Sequence, residues 1–127
     1  MRLIRTTGSL LLAVACVLGC ESDPAKVSKD QVADIRTDSQ SLRIGMTKKE
    51  ALGTFDRGNK VMLGTTAIGD ASVEEWKVEA YHDDDWAKQR DLFVTFLYFV
   101  NGRLVDVSDK RLAPRDNPDL VDRWTGG

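Results

Sequence analysis

The sequence predicts an α+β domain in which two short N-terminal helices pack on one face of a three-stranded antiparallel sheet. Two capping boxes, Ser28 with Gln31 and Thr47 with Glu50, open the helical segments of the first half. The second half changes to extended, alternating patterning, and Asn101-Gly102 separates two apolar runs as a tight hairpin turn does. Helices grouped ahead of strands indicate α+β rather than alternating βαβ units.

The chain opens on a segment suited to export. Arg2 and Arg5 supply positive charge, Leu10 to Leu18 form an uninterrupted apolar run, and the small Gly19 precedes Cys20. That run is under half of the roughly 20 residues a membrane-spanning helix needs, so it reads as the apolar region of a signal. Val17-Leu18-Gly19-Cys20 resembles the lipobox cut by bacterial lipoprotein signal peptidase. An ordinary cleaved signal would leave Cys20 incidental. The aliphatic Val17 and Leu18, and the abrupt change to Glu21-Ser22-Asp23-Pro24, favour the lipoprotein reading. Residues 1–19 are therefore expected to be a lipoprotein signal peptide and Cys20 the lipidation site.

Cleavage there leaves 108 of the 127 residues, a length suited to one domain. Sixteen basic residues then face 20 acidic ones, a side-chain charge of −4. Nucleic-acid binding, which depends on clustered Lys and Arg, does not fit that balance. Cys16 lies in the signal and Cys20 would carry lipid, so the folded domain has neither disulfide nor thiolate cluster. Apolar burial must supply its stability.

Residues 20–27 have little to bury and read as the lipidated cysteine and a tether. The α+β domain is expected over residues 28–112. Val27 and Val32 occupy the two positions of a hydrophobic staple around Ser28, and Val32 with Ile35 forms one narrow stripe, so a short surface helix should run to about residue 39. Gly45-Met46-Thr47 opens a second helix, from about Lys48 to Phe55, with Ala51, Leu52 and Phe55 on its apolar side and Gly58 as its stop. Lys60 to Ile68 is rich in β-branched and small residues but broken by Gly64, and is left as loop or weak strand. Glu75 to Ala80 alternates charged and apolar residues, which describes a strand with one wet and one dry face. Leu92 to Val100, apolar on nearly both faces, should be central, and Leu104 to Ser108 its return strand. In the tail, residues 113–127, Asn117 and Pro118 precede a short helical pattern with Leu120, Val121 and Trp124 to bury.

The lipobox, the polar tether, Ile44-Gly45-Met46-Thr47-Lys48-Lys49-Glu50, a Trp-bearing strand and Phe99-Val100-Asn101-Gly102-Arg103-Leu104 together resemble the BamE (SmpA/OmlA) group of small lipoproteins. The resemblance covers about Leu42 to Asp109. It implies the helix-helix-strand-strand-strand topology of the β-lactamase inhibitor protein. It also implies a non-catalytic accessory subunit of the machinery that assembles outer-membrane β-barrel proteins, touching other subunits and anionic lipid. The chain departs from the family in having Asp56-Arg57-Gly58 without a proline, in the acidic His82-Asp83-Asp84-Asp85-Trp86 stretch, and in the tail after Arg111. The site residues that match the group, Gly45, Met46, Thr47, Glu50, Asn101 and Gly102, are structural ones.

No nucleophile elbow, phosphate loop or paired metal-binding His motif is present in the sequence, so no catalytic residue and no cofactor is expected. His82, Asp83, Asp84 and Asp85 are weak candidates for a divalent-cation site, set against a solvated loop whose like charges water keeps apart. Trp76 is in phase with Val78 and Ala80 and reads as core. Trp86 and Trp124 are the candidates for a partner surface, since large aromatics concentrate binding energy. The expected protein is thus a lipid-anchored, protein-binding envelope subunit. The alternatives are an inhibitor or ligand-binding lipoprotein acting on an envelope hydrolase, and a cation-binding lipoprotein. Glu21 differs from the Asp that tends to retain lipoproteins at the inner membrane, which favours the outer membrane facing the periplasm.

Overall fold

A computed structural model describes residues 23–84, 86 and 88–123. The elements in chain order are α1 (Lys29–Ser39), α2 (Lys48–Gly53), β1 (Asn59–Ile68), β2 (Ala71–Asp84), β3 (Gln89–Val100), β4 (Arg103–Ser108) and α3 (Asp119–Asp122). The four strands form one antiparallel sheet in sequence order.

This corrects the expected three-stranded sheet with two N-terminal helices on one face. The additional strand is β1. It pairs with β2 from Asn59↔Glu79 to Ile68↔Ala71, with a register shift between Met62 and Gly64. The glycine that made the segment look broken adjoins a bulge within a continuous strand, a usual place for glycine in a sheet. The β1–β2 connection is the two-residue Gly69-Asp70, with φ +61 at Gly69, as a type II′ turn requires of its first central residue. The short helix expected in the tail is present as α3, a single turn after β4, and it packs Leu120 on the face opposite α1 and α2.

Local chemistry accounts for the helix starts. At α1 the Ser28 hydroxyl accepts from the Gln31 N–H while the Gln31 side chain accepts from the Ser28 N–H. Thr47 and Glu50 do the same at α2. Each box satisfies two N–H groups that a first helical turn otherwise leaves unpaired. Gly45 N–H donates to the Leu104 carbonyl at 2.8 Å, and Leu104 N–H to the Met46 carbonyl at 2.8 Å. The segment ahead of α2 therefore also covers part of the β4 edge.

Strand alternation sorts the core into two clusters. Val32 and Ile35 of α1, with Ala51 and Phe55 from the α2 region, pack on Val78, Ala80, Phe93, Leu97, Phe99 and Leu104; Trp76 is partly buried against them. The other face carries Ala71, Val73, Tyr98, Val100 and Val105, covered by Leu120 and bordered by Leu112 and Val121. Leu104 and Val105 of β4 serve opposite faces, as successive strand residues do, and Val105 is the extra residue where the register shifts between Tyr98↔Asp106 and Phe99↔Leu104. Asn101 and Gly102, with φ of 50° and 83°, make the β3–β4 turn with both central residues in the left-handed region. Gly58 has φ +92, and a Cβ there would stand 3.0 Å from the Glu79 carbonyl oxygen, so the chain enters β1 where a side chain does not fit.

Candidate functional site

Three features of the second sheet face bear on function: a buried charged network, a partly exposed half, and the end of the β2–β3 hairpin. The network begins at Glu75. Its place in the alternation pointed to a wet face, yet it is only 4 % exposed, because residues 111–122 cross the sheet over it. Arg111 donates to it through Nε and Nη2 at 3.0–3.2 Å, and the Tyr98 hydroxyl donates at 2.8 Å. The Leu112 N–H in turn donates to the Tyr98 oxygen at 2.6 Å. A buried carboxylate costs several kcal/mol unless paired in this way. Burial first, and the bond to Glu75 second, push the Tyr98 phenol well above its ordinary range. A cleft of 540 Å³ opens beside this network, lined by Thr66, Arg111, Pro114 and Arg115 among others. Sequence reasoning missed the network. The apolar Leu112, Leu120 and Val121 in the tail were the available signal that the tail packs back.

Beyond the reach of the tail the same face is partly exposed, with Phe96 at its border against the cluster under the tail. Register places Val61 of β1, Lys77, Glu79 and Tyr81 of β2, and Leu92, Val94 and Phe96 of β3 side by side on it. Val61 and Leu92 are exposed, Leu92 by 52 %, and Lys77 pairs with Glu79 at 3.5 Å within the patch. An apolar patch framed by charge is the composition of a binding surface.

Past this patch, β2 and β3 run on as a two-stranded arm from His82↔Asp91 to Asp84↔Gln89. Along β2 successive side chains point to opposite faces, so His82 and Asp83 do not converge. His82 Nδ1 lies 3.1 Å from the Val27 carbonyl, Asp83 is paired with Arg90 Nε at 2.7 Å, and Asp84 accepts from the Trp86 N–H at 3.1 Å. Among the described residues no group of three His, Cys, Asp or Glu side chains could hold a metal ion. Asp85 lies outside the described residues. Trp86, at the end of the arm, is 99 % exposed. Trp124 and Cys20 lie outside the described residues.

The segment read as a tether is docked from Asp23 onward. Lys26 N–H donates to the Asp23 carbonyl, closing a turn through Pro24 and Ala25. Val27 N–H donates to the Tyr81 carbonyl at 2.9 Å and Tyr81 N–H to the Ala25 carbonyl at 2.8 Å, so Ala25 to Val27 runs parallel to β2 beyond the start of β1. Asp23 is held from both sides: the Tyr81 hydroxyl donates to it at 2.6 Å and the Ala25 N–H at 2.9 Å. Those two bonds, the Tyr81 one larger, lower its pKa below the ordinary aspartate value. The Arg90 guanidinium stacks 4.5 Å from the centre of the Tyr81 ring, joining tether, sheet and hairpin arm.

Comparison with protein-family models, curated proteins and solved structures finds no match. Among the described residues no helix is long and apolar enough to cross a membrane.

Proposed function

We propose that this protein is a lipid-anchored, non-catalytic subunit of the bacterial envelope that binds another envelope protein through the partly exposed half of its second sheet face. The observation that carries the reading is that patch: Val61, Leu92, Val94 and Phe96 brought together by register around the Lys77–Glu79 pair. Membrane attachment rests on the lipobox ending at Cys20, and the outer membrane on Glu21 at the next position. The choice of β-barrel assembly as the process rests on the motif resemblance to the BamE group, above all on Ile44 to Glu50 and Phe99 to Leu104.

The test is co-purification from detergent-solubilised envelopes with the wild type, with Leu92→Asp, and with Met62→Asp as a control exposed on the opposite sheet face. A partner that is recovered with the wild type and the control but lost with Leu92→Asp supports the reading. Barrel-assembly subunits in that fraction support the assembly role, and a lone hydrolase moves the protein to an inhibitor role. Equal recovery by all three variants removes the binding face.

A further inference from the structure

We propose that the end of the β2–β3 hairpin is a second membrane contact, with Trp86 seated in the zwitterionic headgroup region of the bilayer that holds the Cys20 lipid. The inference rests on the lipoprotein reading of Cys20 and adds where the folded domain meets the surface. Three observations converge. First, the chain between lipid and domain is short: with Asp23 fixed to Tyr81, only three residue steps separate it from Cys20, a reach of about 11 Å at full extension. Second, β2 continues three residues beyond Tyr81 to Asp84, about 10 Å of strand, before Trp86. The anchor and the hairpin end therefore have matching reach from one fixed point. Third, Asp23, where the described chain begins, is bound through Tyr81 on the sheet face that also carries Asp83 and Arg90 of the arm, and Arg90 stacks on that same Tyr81 ring.

A fully exposed Trp at that end suits a bilayer surface, where its apolar ring and polar N–H meet both environments. Charge decides the kind of surface. Asp83, Asp84 and Asp91 outnumber Lys88 and Arg90 on the described arm, and Arg90 is already bound to Asp83, so an anionic surface gains little from it. Acyl chains on Cys20 supply the affinity, at about 0.8 kcal/mol per buried methylene. Trp86 orients the domain and sets which face of the sheet stands open to the periplasm.

The experiment uses the full mature lipoprotein reconstituted into phosphatidylcholine vesicles whose acyl chains carry bromine just below the headgroups. Trp86 emission is taken as the difference between the wild type and Trp86→Phe, a substitution at a fully exposed position that leaves the core untouched. The proposal expects that difference emission to be quenched on brominated vesicles, with no increase when anionic phosphatidylglycerol is added. It also expects most of the quenching to be lost in Tyr81→Phe, which lacks the hydroxyl that holds Asp23. Lipidated, vesicle-bound protein whose Trp86 emission is unquenched overturns the hairpin contact while the anchor stands. Protein that lacks acyl mass on Cys20 and does not float with vesicles overturns the anchor and the contact with it. Protection of Trp86 by a co-purifying protein in place of lipid identifies a protein interface and also overturns the proposal.

Discussion

Glu75 shows how a single side chain can be misplaced by an accurate pattern. The alternation from Glu75 to Ala80 gives the right strand and the right phase, yet phase alone does not say which face another segment will cover. The tail packs back on that face through Leu112 and Leu120, and Arg111 and Tyr98 then compensate the buried charge of Glu75. Glu75→Ala takes away the stronger of two acceptors of the Tyr98 hydroxyl, leaving the Leu112 carbonyl at 3.0 Å, and leaves Arg111 without its partner. It should destabilise the domain by about 1–3 kcal/mol, seen as a lower urea midpoint at unchanged slope. The phenol itself gives a second prediction. Below about pH 10, Tyr98 is protonated in both folded and unfolded chains, and its contribution is whole. Above that, the unfolded chain sheds the proton that the native state retains, so stability falls as pH rises toward the elevated native value. Alkaline unfolding curves should therefore decline from about pH 10, and Tyr98→Phe should remove part of the decline. Tyr81, raised chiefly by its bond to Asp23, accounts for a further part.

Among the elements, those with their own chemical punctuation were legible. Both capping boxes, the Asn101-Gly102 turn and the apolar run of β3 are written locally, and each stands where its residues indicate. β1 was not legible, because its order comes from pairing with the long β2 and its Gly64 adjoins a bulge that only the partner strand reveals. The docking of Ala25 to Val27 was hidden for the same reason: its hydrogen bonds are to Tyr81, more than fifty residues away. Thr47→Ala should cost about 1 kcal/mol by removing the α2 cap, read as a lowered thermal midpoint. The tether lock makes a pH prediction of opposite sign to that of Tyr98. Because Tyr81 and the Ala25 N–H hold Asp23 below its ordinary value, the lock is complete above about pH 4 and is lost as pH falls through the lowered value. The Tyr81 ring resonances, followed by NMR on acidification, should move toward those of Asp23→Asn as the lock opens. Resonances that stay constant down to pH 2 would contradict a carboxylate lock.

At the scale of the whole molecule, the sheet separates structure from recognition. One face is filled by α1 and the α2 region; the other is divided between the tail, which seals Glu75, and an open half leading to the hairpin arm. The sequence could place neither the open half nor the arm, since the first depends on register across three strands and the second on how far β2 and β3 pair beyond Tyr81. If Cys20 carries lipid, the docked tether holds the domain within about 11 Å of its attachment point. The open half would then face a partner at the membrane surface. Everything in that arrangement depends on the chemistry of Cys20. Intact-mass analysis of the mature protein extracted from bacterial envelopes tests it directly. The account predicts a chain that begins at Cys20 and carries the added mass of a diacylglyceryl group and an amide-linked acyl chain. A mature chain beginning elsewhere, or one beginning at Cys20 with a free thiol, would contradict it.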